Sequence, residues 1–262
     1  MSRSNEKVLS YQDVLLRRAD VELLRESEWL NDQIIAFYLE YLSQERLQGR
    51  PGVLFLPPTV AFLICNALSP AELMPMLEPL KIPQRKVVLL PVNDNTSVER
   101  AEGGTHWSAL VCCPEAAACI HFDSAAGSNR SAAQRLCRAV GPLLGLPPSS
   151  APSSPSRGPG ALPRSHLALS LPGRRLAGAP RLVEARMAQQ RNSHDCGVYT
   201  IAVAEAIAGT PDLESRSADG VREALERFPF PEPAGMRRGV RDLVARLAAR
   251  QGRAPGAEEQ PE

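Results

Sequence analysis

The stretch Gln190-Arg-Asn-Ser-His-Asp-Cys196-Gly-Val-Tyr-Thr-Ile-Ala-Val-Ala-Glu-Ala-Ile holds the residues best suited to covalent chemistry. The apolar run after Cys196 predicts a helix, with the cysteine at its mouth and an acid, Asp195, just before it. A helix N-terminus offers a positive dipole end and unpaired backbone N–H groups, which favour the nucleophilic thiolate. Gly197 is expected to leave the approach to the sulfur open. Gln190, six residues upstream in a polar loop, can aim a side-chain N–H where an oxyanion would develop. A buried core cysteine behind a polar loop is the competing reading, because free cysteine is among the most buried residue types.

A nucleophilic thiol needs a base, and a second segment supplies candidates. Gly103-Gly-Thr-His106-Trp-Ser-Ala-Leu-Val-Cys-Cys113, followed after Pro114 and Glu115 by Ala116-Ala-Ala-Cys-Ile-His-Phe-Asp123-Ser, reads as a β-hairpin. Pairing about a two-residue turn at Pro114 and Glu115 sets His106 directly against Asp123. Opposed side chains have Cβ atoms roughly 4.5–5.5 Å apart, close enough for the acid to orient the imidazole and stabilise the imidazolium. A slip of one residue would turn the two to opposite faces. His121, His194 and His166 are rival bases, and spacing leaves them open. His106 ranks first because His194 is too local to Cys196, His121 reads as a solvated strand histidine, and His166 falls in a low-complexity stretch.

The elements around these segments are legible in outline. Tyr11 to Leu47 reads as helical with a break before Trp29, Asn31 being an N-cap for the stripe Ile34, Ile35, Tyr38, Tyr41 and Leu42. Short helices are expected over Pro58–Cys65 and Pro70–Met76, a strand over Lys86–Val92, a helix over Ser131–Leu144, and an edge strand at Arg181–Ala185. Helices are expected again over Gly220–Phe228 and Pro233–Arg250, and the polar tail 251–262 is expected to be disordered. The Pro, Ser and Gly content of 146–180 cannot build a packed core and predicts a disordered insertion in an otherwise single domain over 1–250. A functionless expansion and a docking tail are both open readings of it.

The pattern Gln190-x-Asn192-x-x-Asp195-Cys196-Gly197, with His106-Trp107 and Asp123-Ser124 upstream, resembles the Ulp/sentrin-specific cysteine proteases that cleave ubiquitin-like modifiers. Leu9-Ser-Tyr, Trp29-Leu-Asn-Asp32, Glu78-Pro-Leu, Val92-Asn-Asp-Asn95 and Gly103-Gly-Thr-His-Trp-Ser108 extend the resemblance to the deneddylating branch of that family, over about 8–145 and 181–250. It implies a papain-like α+β fold, in which a helix carrying the cysteine packs against an antiparallel sheet carrying the histidine and the acid. It implies Cys196 as nucleophile, His106 as general base and later acid, Asp123 as the orienting acid, and Gln190 with the Cys196 backbone N–H as oxyanion donors.

By the same resemblance, Trp29 and Trp107 form a narrow slot for an extended Gly-Gly tail; as a plain reading, both are core anchors. Asp32 and Asn93 are carried over as further tail contacts, and the loop from Asn93 to Gly104 as a mobile lid, against a reading as a plain surface connection. The implied substrates are a Nedd-type modifier and its conjugates, such as cullins; a SUMO- or ubiquitin-directed isopeptidase, or a catalytically silent binding module, are the alternatives. This chemistry needs no metal or cofactor, and a monomer is expected.

Composition bounds these readings. A chain of 262 residues with 44% hydrophobic content can bury a substantial core. No apolar run is long enough to span a membrane, and Met-Ser-Arg-Ser-Asn-Glu-Lys lacks the apolar region of a secretory signal. The six cysteines show no pairing or metal-ligand spacing, which predicts reduced thiols and a cytoplasmic or nuclear location. A net charge of +1 gives no electrostatic footprint for nucleic acid.

Overall fold

A hairpin precedes the helices, its second strand lying where the sequence suggested helix from Tyr11: β1 (Lys7–Tyr11) pairs antiparallel with β2 (Val14–Arg17) across Gln12 and Asp13. Pairing sets Leu9 opposite Leu16, both fully buried. The computed structural model describes residues 3–66, 70–97, 103–146 and 179–252. Residues 98–102 of the expected lid, 147–178 of the expected insertion and 253–262 of the expected tail lie outside them.

After the short helix α1 (Arg18–Glu22), the chain runs irregularly to α2 (Asp32–Glu45), capped as expected by Asn31, whose Oδ1 accepts the Ile34 N–H at 3.1 Å. The buried face of α2 is Ile34, Ile35, Phe37, Tyr38, Leu39 and Leu42, each such burial stabilising by about 1.5–3 kcal/mol relative to exposure. Next come β3 (Val53–Phe55), α3 (Pro58–Asn66), α4 (Pro70–Leu77), β4 (Val87–Asn93), β5 (Trp107–Cys113), β6 (Ala118–Phe122) and α5 (Arg130–Val140). The fold ends with β7 (Arg181–Glu184), α6 (Cys196–Gly209), α7 (Ala218–Glu226) and α8 (Pro233–Gln251).

The strands from β3 to β7 form one five-stranded sheet in sequence order. Its centre, β4, β5 and β6, is antiparallel as expected, but both edge pairs, β3 with β4 and β6 with β7, are parallel, so the sheet is mixed. Alternation along the strands sends Leu89, Ala109, Val111, Ile120 and Phe122 into a core with α2, α6 and α8. Val88, Leu90, Leu110, Cys112 and Cys119 face the other way, against α3 and α5. A sheet covered on both faces explains why β4, β5 and β6 read as nearly continuous apolar runs. Among the described residues, no helix is long and apolar enough to cross a membrane.

Candidate active site

His106 sits just ahead of β5 and Asp123 just after β6, so the β5–β6 hairpin positions both. The turn is longer than the sequence suggested: a 3₁₀ turn over Pro114–Ala116 closes through Ala117 in the left-handed region, at φ 48°. Leu110 therefore opposes His121, and continuing that register by one step beyond Ala109 and Phe122 sets Ser108, not His106, across from Asp123. An offset of two residues preserves the face, leaving His106 as the diagonal neighbour of Asp123. Its Nε2 lies 2.6 Å from Asp123 Oδ1, with the two residues only 8% and 5% exposed.

Asp123 is further fixed by the Ala125 N–H on Oδ1 and the Asn129 N–H on Oδ2, each at 2.9 Å. Burial pushes its carboxyl pKa up, but the hydrogen bonds from His106, Asn129 and Ala125 outweigh it and hold the group down at about 2. His106 is the mirror case. Burial lowers its pKa, while hydrogen bonds to Asp123 and Cys196 and their charges raise it to about 9. With Nε2 committed to Asp123, Nδ1 is the nitrogen left for the Cys196 thiol. The imidazole therefore holds a proton at neutral pH, and a base of this kind suits a thiol nucleophile.

Cys196 is the first residue of α6 and is 1% exposed. Gly197 does something other than open the sulfur to solvent. It is buried, and a Cβ there would lie 2.9 Å from Leu30 Cβ, so the missing side chain admits the segment that carries Trp29. Gln190 has its side-chain oxygen held by the Ser124 hydroxyl at 2.8 Å, which fixes the amide's orientation. One N–H of that amide goes to the Asn192 carbonyl at 2.7 Å. An amide nitrogen carries two protons, so the second is the one that can serve an oxyanion.

A cleft of about 710 Å³ runs up to this dyad, with His106, Trp107, Trp29, Asp32 and Asn93 all on its walls. Trp29 is 41% exposed, which sets it apart from a core anchor. Trp107 is half-buried, packs on the core and donates its Nε1–H to the Leu30 carbonyl at 3.1 Å. Asn93 Oδ1 accepts the Asn95 N–H at 2.8 Å in a local turn. Gly104, at φ +92°, lets the Asn93 amide pack where a Cβ would collide with it, and so fixes one neck of the expected lid.

Of the rival bases, His121 is committed elsewhere. His121 is fully buried rather than solvated, its ring bridging Glu184 Oε2 at 2.8 Å and Ser108 Oγ at 2.9 Å. His194 lends its carbonyl to Arg237, and His166 lies outside the described residues. Sequence reading passed over Asn129 and Asp94. Asn129 Nδ2 donates to the His106 carbonyl at 3.2 Å while its backbone N–H holds Asp123. Asp94 Oδ1 accepts the N–H groups of Thr105 at 2.6 Å and His106 at 3.1 Å, anchoring the approach to the histidine. For Asn129 the signal was a polar residue ahead of a helix, and for Asp94 its place in the Val92-Asn-Asp-Asn95 motif after β4.

A family model described as the Ulp1 protease family, C-terminal catalytic domain, matches residues 74–145, a span that includes His106 and Asp123. The chain is 36% identical over 243 residues to NEDD8-specific protease 1 of Arabidopsis thaliana, covering 93% of this chain and 89% of that protein. It is 35% identical over 243 residues to sentrin-specific protease 8 of Rattus norvegicus, covering 92% of this chain and 95% of that protein. Among solved structures, the C-terminal Ulp1 protease domain in complex with Smt3, the yeast ortholog of SUMO, superposes with a TM-score of 0.62 at 17% identity, covering 94% of this chain and 90% of that one, which establishes the α+β papain-like fold. On this evidence the chain belongs to the Ulp1 protease family and is a cysteine peptidase.

Proposed function

We propose that this peptidase cuts after the terminal Gly-Gly of a Nedd-type ubiquitin-like modifier, maturing its precursor and releasing it from lysines of cullins and other conjugates. The observation that carries the reading is the Asp123–His106 couple at 2.6 Å, with His106 on the wall of a cleft that Trp29 and Trp107 also line and Cys196 among the groups that raise its pKa. His106 takes the Cys196 proton, and the thiolate attacks the carbonyl carbon of the terminal glycine. The second Gln190 N–H and the Cys196 backbone N–H meet the oxyanion. As the tetrahedral intermediate collapses, the C–N bond breaks and His106 returns its proton to the leaving lysine amine. Water, deprotonated by His106, then hydrolyses the thioester and restores the thiol.

Trp29 and Trp107 narrow the cleft, which suits a tail without side chains. The name of one relative, a NEDD8-specific protease, supports the choice of modifier. The peptidase acts as a monomer in the cytoplasm or nucleus, in keeping with its reduced-thiol composition.

The test uses Nedd, SUMO and ubiquitin probes bearing an electrophile at the terminal glycine, weighed by mass spectrometry against the wild type and Cys196→Ala. An adduct on Cys196 with the Nedd probe, absent from the variant, is expected. Adducts confined to SUMO or ubiquitin would move the substrate. No adduct with any probe would favour a silent binding module.

A further inference from the structure

The proposed chemistry needs two parts of the chain in register: the segment 23–31, which carries Trp29, and the loop 190–196, which carries the nucleophile. Neither lies on the hairpin that holds His106 and Asp123. What joins them is a buried cation from the C-terminal helix. Arg237, on α8, is 2% exposed. Its Nε and Nη2 donate to Asp195 Oδ1 at 3.1 and 2.9 Å, and Nη2 also donates to the His194 carbonyl at 3.1 Å. Toward the other segment, Nη1 donates to the carbonyls of Leu23 at 2.9 Å and Arg25 at 3.0 Å, and Nη2 to that of Glu28 at 2.7 Å.

These contacts engage all five guanidinium N–H groups, and they divide between the two segments. A charge taken out of water this far must keep its acceptors, so neither segment can drift without leaving part of the guanidinium unpaired. The arrangement is reinforced nearby. Asp195 Oδ2 accepts from Asn192 Nδ2 at 2.8 Å, Leu30 packs on Gly197, and Trp107 donates to the Leu30 carbonyl. We infer that Arg237 is a positioning residue that holds the Trp29 wall of the cleft in register with Cys196, and so sets how deeply a substrate tail enters over the nucleophile. The inference rests on the proposed tail-cleaving function.

Lysine keeps the charge of Arg237 but not its fork, so Arg237→Lys tests the geometry. Three readouts are compared well below the unfolding temperature: kcat/KM on a modifier fusion, the rate and pH profile of Cys196 alkylation by iodoacetamide, and acrylamide quenching of tryptophan emission. The last reports the cleft directly, since Trp29 and Trp107 are the only tryptophans. The expected result is a loss of about 10- to 100-fold in kcat/KM with increased quenching, and alkylation unchanged within about twofold, because misplacement alone can cost that much.

If only the unfolding temperature falls while all three readouts hold, the inference is overturned. A parallel fall in alkylation would also overturn it, placing the effect on the nucleophile rather than on the cleft. Arg237→Gln carries the same comparison if the lysine variant does not fold. If wild type cleaves no modifier fusion, the functional reading fails by itself, and the quenching comparison still decides whether Arg237 holds the cleft wall.

Discussion

The acid and the base of this site pull each other's titration in opposite directions. Asp123 is held at about 2, below an ordinary aspartate, so its contribution to stability is complete above the ordinary range and is lost as pH falls through 2. His106 is raised to about 9, so its contribution is complete below the ordinary histidine range and is lost as pH rises through 9. Catalysis inherits the alkaline limit, because the imidazolium must be present to protonate the leaving amine. The pH profile of kcat/KM should therefore fall through an alkaline limb near 9. Asp123→Asn keeps the shape and removes the charge, which should move that limb to lower pH and reduce kcat/KM by about 10²–10⁴-fold. A limb that stays in place would mean that Asp123 does not set the titration of His106.

At the scale of elements, two helix starts are used for something other than capping. Asn129 and Asp195 occupy the N-cap positions of α5 and α6, residue types suited to that role, yet neither side chain caps its helix. The Asn129 amide is turned to the His106 carbonyl and the Asp195 carboxylate to Arg237. The apolar run after Cys196 and the helical pattern from Ser131 placed both helices but not these two side chains, because the partners lie on elements far away in the chain. The same limit explains the hairpin. Two facing apolar runs marked β5 and β6, but the turn length depended on a left-handed residue at Ala117, which no glycine or asparagine announced. Gly197 shows the gap most sharply, since its role belongs to Leu30 from another segment. Gly197→Ala must displace Leu30, and a guanidinium chloride titration should show a loss of about 1–3 kcal/mol, the usual cost of overpacking. An unchanged midpoint would mean that the segment moves aside freely.

For the molecule as a whole, the composition of the chain predicts how its long connection should behave. Residues 147–178 separate the sheet-and-helix unit that ends near Leu146 from the strand β7 that begins at Arg181, and the core clusters described above close on either side of them. The edge strand itself was legible, but not its place beside β6, the strand that leads to Asp123. What sequence could not give was the parallel sense of that pairing, which the path of the intervening chain decides. A Pro-, Ser- and Gly-rich connection costs closure entropy that grows with the logarithm of its length, about 0.6 kcal/mol per doubling. Replacing 147–178 by a short Gly-Ser bridge should therefore stabilise the fold by about 1–1.5 kcal/mol. It should also leave kcat/KM within about twofold, because the site drawn here takes its groups from elsewhere. Chemical denaturation of the shortened chain, together with its turnover of a modifier fusion, checks both parts. A stable fold with lost turnover would assign the connection a part in the site, while a destabilised fold would mean that it contributes packing its composition does not suggest.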